Sequence, residues 1–364
     1  MPNLIYNYVA RGGLPLPPPG FATCPAGPIA GLTVLPNPIA PTWPQLYNAQ
    51  TSIGVYPPGW ALWENRWRLS SLRIASIAGV GPMAPSVLVN AMDATEKGQI
   101  GYHIGTATGL RLAQMTYAGA AGTFYFPLAL TRAQNLGALF NFSTAQRPDF
   151  VIFNITLPVG PPALPTINNF IVWECKGHIN NVGQAPLGPA LRQSLALTNM
   201  VNFPGAGPLA APMAPIAYAA SQIDTLAPGY RLQATDPSKP VDDSEIISLD
   251  SMNVFLQKYY EPIAEMVSAK GYSKRYYDEQ HFMTFEVLPK IRIGLDEHIY
   301  NILFYLKPKD MTYKISEILN QGFINKNPEK VWINKLGISM ELESGWDDLN
   351  KQIQDDNSNR SKLY

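Results

Sequence analysis

Residues 147–178 read RPDFVIFNITLPVGPPALPTINNFIVWECKGH, and they limit the fold more than any other stretch. Two apolar runs, 150–155 and 170–173, flank a loop rich in Pro and Gly. Runs that short, β-branched and aromatic, and bounded by turn residues, predict two buried strands lying side by side. Asp149 opens the first strand, and Glu174 and Lys176 close the second. Side chains alternate along a strand, so Glu174 and Lys176 share one face and Cys175 takes the other. The hairpin therefore carries two carboxylates and one ammonium to a single edge. Charges at the ends of buried strands are costly unless they pair or hold a metal.

Two neighbouring carboxylates suit a hard divalent cation with a preference for oxygen, Mg²⁺ first. Such an ion polarises a phosphate oxygen and lowers the pKa of a bound water. An adjacent lysine can orient that water or offset charge developing on the phosphate. The combination suits metal-assisted hydrolysis of a phosphodiester.

Pro148-Asp149, followed 25 residues on by Glu174-Cys175-Lys176, resembles the PD-(D/E)xK signature of the restriction-endonuclease-like nuclease superfamily. The second half of the motif carries the information. Residues 1–240 hold three Glu and three Lys, so about 0.04 Glu-x-Lys pairs would arise by chance. The resemblance implies that Asp149 and Glu174 hold Mg²⁺, with Mn²⁺ able to substitute, and that Lys176 acts on the attacking water or the scissile phosphate. It implies an α/β fold: a restriction-endonuclease-like core, a mixed sheet flanked by helices, spanning roughly residues 90–236. The first core helix of that superfamily often supplies a further acid near the metal, and here that acid is Glu96. Many members carry a Gln on the second core helix, which makes Gln193, with Arg192 beside it, a candidate for contacting nucleic acid. Leu197 stands where the exonuclease-type version of the motif has a Tyr. The expected partner is a nucleic acid, DNA first. The alternatives are a catalytically inactive binding or scaffold protein of the same fold, and a nuclease toxin effector.

Charge is unevenly spread along the 364 residues. Residues 1–240 hold 12 Lys+Arg against 7 Asp+Glu, and residues 241–364 hold 15 against 20. Thirty of the 34 prolines lie in the first part. Such a break predicts a boundary near Pro240. Three regions follow: a Pro/Gly-rich wrapping segment over 1–80, the nuclease-like domain over 81–240, and a separate charged α+β C-terminal domain over 241–364. The acidic balance of that last part suits protein contact or self-association better than a DNA-reading surface.

Cys24 and Cys175 form no disulfide framework, and Cys/His zinc spacing is absent. A reducing, cytoplasmic setting is the expectation. Residues 1–10 lack a basic start before an apolar core, so no signal peptide is expected. Pro and Gly interrupt the uncharged stretches 12–63 and 193–223, which argues against membrane-spanning helices.

Along the chain, residues 1–60 sustain no helical or strand period and read as extended. Trp60, Trp63 and Trp67 then fall at helical spacing beside Arg66, Arg68 and Arg73. The pattern reads as a core element with its arginines in water, or as an aromatic and basic grip on nucleic acid. Asp93 and Glu96 form a capping box that opens a helix over 93–117. Gly98, Gly101, Gly105 and Gly109 mark close packing on a sheet, and no Lys-Ser/Thr follows them, so no phosphate loop is read. Residues 122–131 predict a strand with Pro127 at an edge, and 187–198 a helix. Strands over 215–223 and 230–234 complete an order of helix, three strands, helix, strand. Beyond residue 241 a helix spans 250–269, with a strand over 281–288, short helices over 295–305 and 315–320, and a strand over 330–340. His281 and His298 have no ligand-spaced partners and read as structural. Residues 354–364 read as a frayed end.

Overall fold

A computed structural model describes residues 2–3, 5–8, 41–52, 59–75, 81–82, 85–116, 122–179, 187–226, 229–235, 244–268, 271–305 and 310–348. It is a mixed α/β structure with several sheets. The first half contains β1 (Pro2–Asn3), β2 (Ile5–Tyr8), α1 (Trp43–Thr51), α2 (Ala61–Ala75), β3 (Gly81–Pro82), α3 (Val87–Ala91) and α4 (Ala94–Thr116). Next come β4 (Thr123–Ala129), α5 (Leu130–Asn135), β5 (Leu139–Phe142), β6 (Phe150–Thr156), β7 (Thr166–Gly177) and α6 (Leu187–Ser194). Then β8 (Leu197–Phe203), β9 (Gly207–Met213), β10 (Ala217–Leu226), β11 (Gly229–Thr235) and β12 (Glu245–Ile246) lead into α7 (Leu249–Ser268). The chain continues through β13 (Ser273–Tyr277), β14 (Gln280–Leu288), β15 (Ile291–Asp296), α8 (Glu297–Tyr305), α9 (Met311–Gln321), β16 (Val331–Ile333) and β17 (Ile338–Leu342).

The largest sheet runs β2-β11-β10-β7-β6-β4, with β12 paired to β7. Strands β4, β6 and β7 form an antiparallel meander. Strand β10 then joins β7 in parallel, which requires a crossover, and α6 lies within that connection. Pro127 sits on β4, the edge strand, where a missing N–H costs no internal bond. Helix α4 packs on the face of β7 that carries Trp173 and Cys175. It comes so close that a Cβ at Gly101 would stand 2.5 Å from the Gly177 carbonyl oxygen. Helix α6 packs on the opposite face of β7, where Gln193 reaches Lys176. A second sheet, β13-β14-β15-β17-β16, is built wholly from the C-terminal part. A third, β5-β8-β9, is inserted around the crossover.

The sheet changes where composition changes, yet one hydrophobic core runs from Trp43 to Leu342. Phe255 and Tyr259 of α7 pack edge-on against Phe126 of β4. Asn48 of α1 donates to the Ile338 carbonyl at 2.8 Å and accepts from Asn334 at 3.0 Å.

Several sequence expectations differ from the structure. Residues 43–51, read as extended, form a helix whose nine residues are all buried. Thr42 and Gln45 close a capping box there, and the lack of charge that hid the helix is what lets it be engulfed. At and just before α2, the arginines and tryptophans reverse the core reading. Arg68 and Arg73 are buried, while Trp60, Trp63 and Trp67 are 66%, 62% and 51% exposed. Arg68 is drawn inward by its ion pair with Glu64, 2.6 Å away. The helix over 187–198 stops at Ser194, because the chain turns at residues 195–196 and pairs as β8 with β5. The strand over 330–340 is a hairpin, β16 and β17, turned at Gly337 with φ +73°. Cys24 and residues 354–364 lie outside the described residues.

Candidate active site

The register pairs Phe150 with Trp173, so the next residues outward, Asp149 and Glu174, face each other across the strand ends. They grip each other through the backbone. The Asp149 N–H donates to Glu174 Oε2 at 2.8 Å, and the Cys175 N–H donates to Asp149 Oδ2 at 2.8 Å. Lys176 Nζ donates to Glu174 Oε1 and, at 3.1 Å, to Gln193 Oε1. Gln193 Nε2 donates in turn to the Arg147 carbonyl oxygen. Helix α6 is thus tied through one side chain both to the lysine and to the loop that precedes Asp149.

Asp149 also lines a cleft of about 180 Å³ with Arg68, Tyr102, Thr106, Gln134 and Arg147. Arg147 lays its guanidinium 3.7 Å from the Phe142 ring centroid and donates to Thr144 and Gln146 carbonyls, both at 2.9 Å. An aromatic row leads away from the cleft: Tyr102, then His103, then Trp67, whose ring stands edge-on to His103 with centroids 4.5 Å apart. Arg66 lies 5.3 Å from the Trp63 ring centroid on the same exposed side of α2.

The electrostatics follow from two acids and one base held out of water. Burial pushes the Glu174 carboxyl up, the charge of Asp149 pushes it further, and Lys176 only partly offsets both, leaving it at about 8. Burial likewise raises Asp149, against the Cys175 N–H and Lys176, which favour its ionised form. Burial alone would lower Lys176, but Glu174 and Asp149 hold it above its ordinary value. Cys175, fully buried behind the strand, is pushed far up by burial and then by Asp149, so its thiol stays protonated. Burial raises Tyr102 to about 12, with Asp149 adding to it, and lowers His103 to about 4, with Arg68 adding to it.

Four of the residues singled out from sequence, Asp149, Glu174, Lys176 and Gln193, therefore meet. Glu96 is exposed on the first turn of α4. Its carboxylate accepts from the Asp93 N–H at 3.2 Å, completing the expected cap. Arg192 is half-buried on α6. Arg68, Tyr102 and Arg147 line the cleft without having been anticipated there. Arg147 stands two residues before Asp149, but nothing in the spacing of Arg68 and Tyr102 points there, because α2 and α4 reach it only through tertiary packing.

The donor set fits a hard cation. Once Glu174 is ionised, the two carboxylates carry negative charge in excess of the single lysine, and Mg²⁺ keeps several waters when one or two carboxylates hold it. Among the described residues no group of three or more His, Cys, Asp or Glu side chains is arranged to hold a metal. Waters and a substrate oxygen would have to complete the shell. Among the described residues no helix is long and apolar enough to cross a membrane. No family model matches the chain, and neither a curated protein nor a solved structure matches it.

Proposed function

We propose that the chain is a Mg²⁺-dependent nuclease with a restriction-endonuclease-like core, acting on DNA. The observation that carries this reading is the meeting of Asp149, Glu174 and Lys176 at the paired ends of β6 and β7. The order α4, β4, β6, β7, α6, β10, with β10 parallel to β7, supports it. Asp149 and Glu174 would hold the ion, which when bound polarises a phosphate oxygen and lowers the pKa of a water. Glu174 must be ionised to serve as a ligand, so occupancy should rise with pH toward about 8. Lys176 carries the positive charge that would orient the nucleophile or offset charge on the phosphate. Gln193 fixes where that charge points and acts as a positioning residue. The exposed tryptophans of α2, with Arg66 beside them, give bases a surface to stack on next to the cleft.

The test is cleavage of plasmid and linear DNA, with RNA as a parallel substrate, in Mg²⁺ or Mn²⁺. Cutting is expected from the unmodified protein and not from Glu174→Ala or Lys176→Ala. Equal cutting by those variants would place the activity elsewhere.

A second reading is a non-catalytic binding protein of the same fold. The observation in its favour is that Lys176 is already engaged by both Glu174 and Gln193. Calorimetry separates the two: uptake of Mg²⁺ or Mn²⁺, with or without DNA, belongs to the nuclease alone.

A further inference from the structure

A different cavity, of about 250 Å³, opens between the far end of α4, strand β4 and the β16–β17 hairpin. Arg111 projects into it from α4, and Lys335 lines it from the hairpin turn. Among the described residues its lining holds no acid. The Arg111 Nε is buried with no hydrogen-bond partner, and its guanidinium lies 5.2 Å from the Trp332 ring centroid. Two more polar atoms are left unpaired on residues of the same lining: Trp332 Nε1, a donor, and Gln114 Oε1, an acceptor. Unpaired buried polar groups are uncommon, and three around one cavity require an explanation. Burial pushes Arg111 down to about 10, and no neighbouring carboxylate lifts it back. A half-buried cation with an aromatic face but no counter-charge beside it is held at a cost that an incoming anion would remove. The remaining wall is apolar, with Met115 and Tyr125 prominent. Few convergent polar groups on an apolar wall are the ordinary make-up of a small-molecule site.

The geometry points to a binding site for a small organic anion. Its acidic head would pair with Arg111 and Trp332 Nε1, a hydroxyl or amine would donate to Gln114 Oε1, and its apolar body would lie against Tyr125 and Met115. Asn334 also borders the cavity, but its amide is committed to Asn48, Ser52 and the hairpin backbone, so it shapes the wall. Lys335 adds a second positive charge at the mouth. The site stands apart from Asp149 and Glu174 and does not depend on the nuclease reading.

The probes are 4-hydroxybenzoate, acetate and inorganic phosphate, each titrated by calorimetry into the full chain and followed by thermal melting. For 4-hydroxybenzoate a dissociation constant of about 1 mM or tighter is expected, with a raised Tm. Acetate and phosphate should bind at least about tenfold more weakly, because they lack the apolar body. Arg111→Met should abolish binding while leaving the ligand-free Tm equal or higher, since it removes an uncompensated buried charge. Gln114→Leu should weaken 4-hydroxybenzoate and leave acetate unchanged, because only the former carries a hydroxyl to donate. Failure of all three anions to bind, or phosphate binding as tightly as the ring acid, would overturn the assignment. A clear fall in the ligand-free Tm of Arg111→Met would overturn it too, by making the arginine a structural residue.

Discussion

Two clusters of charge on strands behave in opposite ways. On the C-terminal sheet Arg292 pairs with Glu286 and, at 2.8 Å, with Glu343, while Arg275 reaches the same Glu343 at 2.9 Å. These side chains keep contact with water, and the hydrogen bond from Arg292 holds Glu343 below the usual carboxylate range. On the large sheet Asp149 and Glu174 share one lysine in a site closed to water around Glu174, and both acids are pushed up. Both clusters set carboxylates against basic side chains. Access to water differs. Where every acid has a cation, the charges serve as a clasp. Where the acids are shut away from water, they hold a proton more tightly than usual, and a metal ion would have to displace it.

Lys176→Ala should lower the rate of DNA cutting by about 10²–10³-fold or more, while Glu343→Gln should leave it unchanged. Equal losses in both would erase the distinction. Next, Gly101→Ala should cost about 1–3 kcal/mol of stability, because the new methyl drives α4 off the strand end that carries Glu174 and Lys176. Urea unfolding checks this, and an unchanged midpoint would show that the seam has slack.

Third, pH should move the metal-free protein in a defined direction. Folding lifts Glu174 from 4.5 to about 8, so between those values the folded chain keeps a proton that the unfolded chain has lost. Stability therefore falls as pH rises through that window and levels off above about 8. Glu174→Gln cannot ionise and should flatten the Tm profile from pH 5 to 8. Mg²⁺ should restore stability most at the alkaline end. A profile that is the same in the variant would show that Glu174 does not titrate there. The smallest effect belongs to the clasp. Glu343→Gln should cost only about 0.2–1 kcal/mol, and less in high salt, because its partners remain solvated.

Much of the large sheet is legible in the sequence, because its signals are local. The strands at 150–156 and 166–177 show as β-branched and aromatic runs, and the start of α4 shows as Asp93 with Glu96 three residues on. Pro127 marks an edge strand, which β4 is. The meeting of Asp149, Glu174 and Lys176 is legible for the same reason, since a hairpin brings its own ends together. Other features depend on what the chain packs against. Helix α1 is buried on all sides, so it shows no amphipathic stripe. The tryptophans of α2 have the spacing of a core face and point outward, because α4 and α7 meet the other side. The sequence offers Gln193 as a contact for nucleic acid, whereas its bonds to Lys176 and Arg147 appear only once α6 is docked.

The hold that α1 keeps on the C-terminal hairpin has a consequence for how such a gene could be cut and recombined. Asn48, Asn334, Ser52 and Tyr259 knit residues 48–52 to segments 207 to 290 positions away. Producing residues 1–240 alone would strip α1 of that cover and leave greasy surface exposed. Made together in one cell, the two pieces are expected to find each other and complement. A foreign C-terminal half grafted at the compositional break would have to bring its own socket for α1.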